Sequence, residues 1–408
     1  MKKYLRIMMA LAFLVVILAA CGDDNGGAAT DNGDDDDTVY ENGDEVDENG
    51  DEADENGDEA DDNGDDADAN GYDADVNVFL IAHSPDSILD DGSFNQGAWN
   101  GIQQFVENNP DTQSNFLQPN DASDQARLDL IEAAIGQGAN ILVLPGFHFE
   151  SALYDAQDIF PDTTFVLLDA TPAQGEGDDR SVRVESNVAA IHYAEEEAGF
   201  LAGYVAVMEG YRELGFMGGI AVPAVVRYGH GFIQGAEYAA ESLGLAQGEV
   251  SINFSYLGSF APDPAHTTTA ASWFAGGTEV IFVAAGGAGG SVMAAAESEN
   301  ASVIGVDVDQ AHLSDSVVIS AVKGLDVSVY DMLADFATGN FNGGNEIRFD
   351  ATNNGVGLTL ESSRLSNFTQ EQYDEIFSLL ATGEIAVDSS HDPDVLPTTN
   401  LVTVEELN

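Results

Sequence analysis

From Val76 onward, short and nearly continuous apolar runs alternate with stretches in which apolar residues recur at helical spacing. The runs 76–82, 141–144 and 164–168 predict strands, with helices over 95–108 and 150–158. A second series predicts helices over 194–208 and 231–242 and strands over 214–217, 251–254, 280–284, 303–306 and 317–321. A helix over 369–382 and further strands complete the chain. Strands that lack polar alternation are buried on both faces, which is how parallel sheets covered by helices read in sequence. The expected fold class is therefore α/β: two Rossmann-like lobes with parallel sheets, a hinge, and a cleft between them. In such sheets ligands lie beyond the carboxyl ends of the strands.

The residues at those ends are chemically selective. The first strand runs into Asp86-Ser87-Ile88-Leu89-Asp90-Asp91-Gly92-Ser93-Phe94-Asn95-Gln96, the 141–144 strand into Pro145-Gly146-Phe147, and the 164–168 strand into Asp169. In the second series the 280–284 strand enters Gly286-Gly287-Ala288-Gly289-Gly290. The 303–306 strand meets Asp307-Val308-Asp309-Gln310, and the last strand delivers Lys323. An aromatic ring supplies a stacking face, carboxylates accept from hydroxyls or amines, and glycine lets a ligand approach the backbone. Any one of these aspartates by itself reads equally as a helix cap or turn residue. Together, at equivalent places in the topology, they predict a site for a polar, ring-bearing ligand.

The first 75 residues read differently. Three cations, Lys2, Lys3 and Arg6, precede an apolar run of 14 residues over 7–20. A membrane span needs about 20 residues, so the run predicts a signal peptide. It ends Leu18-Ala19-Ala20-Cys21-Gly22, small residues before a cysteine, as in the lipobox of bacterial lipoproteins. Cys21 is the single cysteine, which excludes a disulfide within the chain and makes it the expected lipidation site. Residues 21–75 then form an acidic spacer in which Asn42-Gly43-Asp44-Glu45-Val46-Asp47-Glu48 recurs at Asn49, Asn56 and Asn63. With almost no apolar area it is expected to be a disordered, self-repelling tether, about 180–190 Å when fully stretched. The expected location is the extracytoplasmic face of the membrane of a bacterium of Gram-positive type.

Charge narrows the partners. The chain carries 73 acids against 11 Lys plus Arg, a formal net charge of -62. The spacer holds 25 of the acids, and residues 76–408 still carry -40, with Lys323 their sole lysine. Such a surface excludes the basic patches that nucleic acid and anionic membranes require, so membrane association must come through the lipid anchor. It fits a salt- or alkali-tolerant source, where screening mutes self-repulsion.

Several separated blocks carry a family resemblance: Asp90 to Gln96, Gly146-Phe147, Phe160-Pro161-Asp162-Thr163, Phe200-Leu201-Ala202-Gly203, Arg227-Tyr228-Gly229-His230-Gly231-Phe232, Gly286-Gly287-Ala288-Gly289 and Gly305 to Gln310. In order, they resemble the blocks of the basic membrane protein family, lipoproteins similar to the purine nucleoside receptor A that serve ABC importers as substrate-binding proteins. The resemblance implies a type I periplasmic-binding-protein fold over 76–408. Its first lobe spans about residues 76–190 plus a later crossover segment, and its second about 191–350. It implies a nucleoside ligand and, as partners, the permease and ATPase subunits of an importer. Phe94 is the implied stacking ring, with Trp273, Phe274, Phe232 and Phe147 as candidates for a second. Asp169 is implied to read the base edge, and Asp307 with Lys323 to hold the ribose. The resulting candidate ligand-binding set is Asp86, Asp91, Ser93, Phe94, Asn95, Phe147, Asp169, Phe232, Trp273, Phe274, Gly286, Gly287, Asp307 and Lys323.

Enzyme readings find little support. No glycine-rich loop precedes the lysine, no His-Glu-x-x-His occurs, and the seven histidines are scattered without metal-ligand spacing. No catalytic residue, metal or cofactor is therefore expected. A receptor for a sugar or other polar solute, and a sensor or adhesin on the same fold, stay open as alternatives.

Overall fold

A computed structural model describes residues 75–175 and 177–407. The expected signal peptide, Cys21 and nearly all of the spacer lie outside the described residues. In chain order the elements are β1 (Asn77–Ile81), α1 (Phe94–Asn108), β2 (Gln113–Leu117), α2 (Asp124–Gly136), β3 (Ile141–Pro145), α3 (Glu150–Ile159) and β4 (Thr164–Leu168). A short antiparallel hairpin of β5 (Ala173–Gln174) and β6 (Ser181–Val182) precedes β7 (Val188–Tyr193). There follow α4 (Glu195–Glu209), β8 (Glu213–Gly218), α5 (Pro223–Leu243), β9 (Val250–Tyr256), α6 (Pro264–Ala275), β10 (Val280–Ala284), α7 (Gly289–Glu299), β11 (Ser302–Asp307) and β12 (Val317–Lys323). The chain closes with α8 (Leu325–Ala337), β13 (Asn345–Phe349), β14 (Val356–Leu358), α9 (Gln370–Ala381) and β15 (Val402–Glu406).

Two sheets result. The first has the order β13-β7-β4-β3-β1-β2 and is parallel throughout. The second has the order β14-β12-β11-β10-β8-β9-β15, parallel except for β14. The central strands β3, β4 and β10 are buried almost end to end, as their unbroken apolar sequences require. Each sheet is covered on both faces by helices, making two α/β/α lobes with separate apolar layers. This is the type I periplasmic-binding-protein architecture.

Sheet membership interrupts the second lobe expected over about 191–350 and extends it beyond 350. Helix α8 and β13 belong to the first lobe, because Leu325, Val329 and Leu333 bury against Ile102 and Phe105 of α1. Strands β14 and β15 and α9 belong to the second. The chain thus passes between lobes three times, at Ala194, at Gly324 and over 350–355. The passages are tied together where Ala194 N donates to Phe349 O at 2.9 Å and Gly324 N to Gly355 O at 2.8 Å.

Helices α4 and α5 meet backbone to backbone. A Cβ on Gly199 would lie 2.2 Å from Tyr228 O, and one on Gly235 would lie 1.9 Å from Phe200 O. Helix α5 also begins at Pro223, earlier than the expected 231, since proline at the first turn presets the helical φ. The early β-branched pair Val225-Val226 and the glycines at 229 and 231 weaken the helical signal there. The blocks Phe200 to Gly203 and Arg227 to Phe232 are therefore largely the two sides of one close helix crossing.

Candidate functional site

Each sheet has one place where successive connections leave in opposite directions: between β1 and β3 in the first, and between β8 and β10 in the second. Loops diverge there and leave a crevice. The two crevices open on a single cavity of about 520 Å³ between the lobes, lined from 83–95, 145–148 and Asp169 on one side. The other side is formed by 222–225, Tyr228, 260–262, Ala284, Gly286, Gly287, Val306, Asp307 and Lys323.

On the first-lobe wall, Asp91 accepts backbone N–H bonds from Ser93 (2.9 Å), Asn95 (3.0 Å) and Gln96 (3.1 Å). It faces the cavity and at the same time closes the open amino end of α1. Burial lifts its carboxyl to about 6 against the pull of those amides. Asn95 Nδ2 donates to Ser87 Oγ at 2.9 Å and Ile88 O at 3.0 Å, pinning the loop that carries Asp86 and Asp90 at the exposed mouth. Phe94 lies beside Gly146, whose φ of 99° belongs to glycine. Behind it runs a shelf of rings: Phe147 against His148 at 3.9 Å, and His148 stacked on His83 at 4.2 Å with planes 6° apart. Burial pushes both imidazoles down to about 4, with Arg127 adding to the effect at each.

The second-lobe wall is built of small residues around Phe260, whose ring packs over Gly219 and Gly286. A Cβ on Gly219 would come within 2.4 Å of that ring, so the ring's seat depends on the glycine.

At the buried end of the cavity sits the charged centre. Lys323 Nζ lies 2.5 Å from Asp169 Oδ2, 3.5 Å from Glu195 Oε1 and 3.7 Å from Asp307 Oδ1. The rings of Phe94, Tyr193 and Tyr228 surround it at 4.6, 5.2 and 5.8 Å. Burial opposes the ammonium charge, but Asp169, Asp307 and Glu195 outweigh it and raise the lysine pKa. Burial also lifts Asp169 to about 7 despite the lysine beside it. Ser93 Oγ donates to Asp307 Oδ2 at 2.5 Å and Tyr228 OH to Oδ1 at 3.3 Å. Asp169 Oδ1 is buried with no hydrogen-bond partner among the described residues, so it can accept from a ligand. Asp169 and Asp307, one at a strand end in each lobe, have φ of 57° and 67°. That is left-handed backbone, which costs energy for a residue with a side chain and concentrates at functional positions.

Of the expected set, Asp86, Asp91, Phe94, Asn95, Phe147, Asp169, Gly286, Gly287, Asp307 and Lys323 line this cavity. Ser93 does not: its side chain is buried in the bond that joins the first lobe to Asp307. Phe232 is fully buried among Phe216 and Phe282, because α5 turns that face toward the sheet. Trp273 and Phe274 lie on α6 in the layer on the other face of the second sheet, packed with Ile281 and Val283. Sequence reasoning missed His83, His148, Phe260 and Glu195. Phe260 had a readable signal, an aromatic just past a strand end within Gly258-Ser259-Phe260-Ala261-Pro262, the same placement that singled out Phe94 and Phe147.

Among the described residues, no helix is long and apolar enough to cross a membrane. The chain is 29% identical over 297 residues, 67% of its length and 79% of the relative's, to the ABC transporter nucleoside-binding protein BmpA of Lactococcus lactis subsp. cremoris. It is 26% identical over 310 residues, 75% of its length and 86% of the relative's, to basic membrane protein A of Borreliella burgdorferi. In fold it is similar to an ABC transporter solute-binding protein of Aeropyrum pernix K1, with a TM-score of 0.64 and 21% identity over 78% of this chain and 95% of that one. A solute-binding protein of Conexibacter woesei superposes with a TM-score of 0.61 and 20% identity, over 77% and 99% of the two chains. A family model described as "ABC transporter substrate-binding protein PnrA-like" matches residues 78–390, and the chain belongs to that family of substrate-binding proteins.

Proposed function

We propose that this substrate-binding protein captures a purine nucleoside in its interlobe cavity and delivers it to an ABC importer from a lipid anchor at Cys21. The observation that carries the reading is the pairing of aromatic surface with a buried ionic centre in one cavity. Phe94 and Phe147 from one lobe and Phe260 from the other supply stacking faces, while Asp169, Asp307 and Lys323 stand together at the buried end. A planar base suits the first and a vicinal diol the second. A carboxylate that accepts from both hydroxyls of a diol makes two charge-assisted bonds, about 1.5–3 kcal/mol each. Phe260 takes the role of second ring that sequence left open between Phe147 and three core residues. The nucleoside-binding name of the Lactococcus lactis relative supports the same ligand class. The lipobox before Cys21 supports the anchor, since two acyl chains hold stably where one does not.

Titration calorimetry of the full chain with inosine, guanosine, adenosine, free guanine and ribose tests the reading. Nucleosides are expected to bind far more tightly than the base or the sugar. Absence of binding to every nucleoside would sink it.

A further inference from the structure

Three carboxylates approach the Lys323 ammonium, and they differ in where they stand. Asp169 and Asp307 line the cavity; Glu195 does not, and it is 0% exposed. Both Glu195 oxygens already face cations, Oε1 the lysine at 3.5 Å and Oε2 the Nε of Arg227 at 2.7 Å. Glu195 is the first residue of α4, next to the passage at Ala194, and Lys323 is the last of β12, next to the passage at Gly324. Arg227 lies on α5, which the glycine contacts lock to α4. Glu195, Arg227, Lys323 and Asp307 thus ride on elements of the second lobe, whereas Asp169 ends a strand of the first.

We propose that Glu195 is a positioning residue of the binding site, a permanent counter-ion that holds Lys323 charged and in place while Asp169 and Asp307 turn to the ligand. The proposal deepens the nucleoside reading and rests on it for the identity of that ligand. When the lobes part, Asp169 leaves with the first lobe and Glu195 stays. When a ligand engages Asp169 Oδ1, the lysine still has a partner that no ligand can reach. A buried ion that loses its counter-charge is strongly destabilised, so a site with only the two cavity aspartates would risk a neutral or displaced lysine. Burial opposes charge on Glu195, but Lys323 and Arg227 outweigh it and hold its pKa down, whereas burial lifts Asp169 to about 7. The other titratable groups facing the ammonium, Tyr193 and Tyr228, are pushed up by burial and stay neutral.

Lysine scarcity makes the test direct. The lysines are Lys2, Lys3 and Lys323 only, and the first two lie in the expected signal peptide, so side-chain nitrogen-15 labelling of lysine leaves Lys323 as the one lysine NMR signal of residues 76–408, and Lys323→Arg identifies it. In the wild-type chain that signal should titrate above the ordinary lysine value of about 10.4. In Glu195→Gln its titration should fall by at least about one pH unit. Inosine affinity should fall at least about tenfold, its alkaline limb should move to lower pH, and Glu195→Asp should restore most of both. Unchanged Lys323 titration and inosine affinity in folded Glu195→Gln would overturn the proposal. Should that variant fail to fold, Asp169→Asn decides: the Lys323 titration should fall but stay above the ordinary value, held there by the remaining carboxylates, and a drop to the ordinary value would make Asp169 the counter-ion instead. The titration needs no ligand, so a wild-type chain that ignores inosine would refute the nucleoside reading and leave this test standing.

Discussion

The two walls of the cavity are built on opposite principles. The second-lobe wall is part of the packed framework: Asp307 and Lys323 are terminal residues of buried strands, Tyr228 lies in a helix locked to its neighbour, and Phe260 is seated on glycines. The first-lobe wall hangs on a long loop held by Asp91 and Asn95, and its rim carries His83, His148, Asp86 and Asp90. One wall supplies fixed charge and the other an adjustable surface. The difference implies that the framework of the second lobe fixes the charged end of the site, and that acid acts on the molecule through the histidines of the first.

The largest effect that would test this division falls on the second wall. Asp307→Ala should leave the fold intact and weaken inosine binding by tenfold or more, the loss of one to two charge-assisted bonds at about 1.5–3 kcal/mol each. Unchanged affinity in calorimetry would remove Asp307 from the site. Aromatic residues of the same lobe give a sharper contrast. Phe260→Ala should cost little stability and reduce affinity several-fold, in line with about 0.5–1.5 kcal/mol for an aromatic contact. Phe232→Ala should instead lower unfolding stability by about 3–5 kcal/mol and leave the affinity of the folded fraction nearly unchanged. Denaturant melts and calorimetry on both variants would expose a reversal.

The smallest effect belongs to the first wall. Unfolded imidazoles titrate near about 6.5, whereas His83 and His148 are held near 4. Between those values the unfolded chain binds more protons, so stability is complete above the upper value and is lost as pH falls through the lower. Asp91, at about 6, and Asp169, at about 7, run the other way. Their stabilising contribution is complete below the unfolded carboxylate value of about 3.9 and is lost as pH rises through 6 to 7. Replacing both histidines, His83→Phe with His148→Phe, should therefore shrink the fall in Tm between pH 6.5 and 4.5 by about 2–4 °C. An unchanged fall would move the acid sensitivity elsewhere.

Legibility in the sequence followed burial. The central strands β3, β4 and β10 could be read because burial on both faces leaves no polar residue to interrupt Ile-Leu-Val-Leu, Thr-Phe-Val-Leu-Leu or Val-Ile-Phe-Val-Ala. The edge strands β2 and β13 escaped notice because their half-exposed sequences, Gln-Ser-Asn-Phe-Leu and Asn-Glu-Ile-Arg-Phe, read as loop. The strand-end rule found Asp169, Asp307 and Lys323, since a parallel sheet delivers those positions to one cleft whatever its helices do. It could not separate cleft aromatics from core aromatics, because Phe232 and Trp273 differ from Phe260 only in which helix face or loop carries them. Glu195 was hidden by its neighbours. In Glu195-Glu196-Glu197 it reads as a solvated helix start, yet the fold buries the first two and pairs them with Lys323, Arg227 and Arg348.

If Asp307 and Lys323 grip a diol, calorimetry on the full chain should separate inosine from 2′,3′-dideoxyinosine. The base is the same and only the two hydroxyls differ. Inosine should bind at least about tenfold more tightly, with the gap largely erased in Asp307→Ala. Equal affinity for the two ligands in the wild-type chain would contradict it.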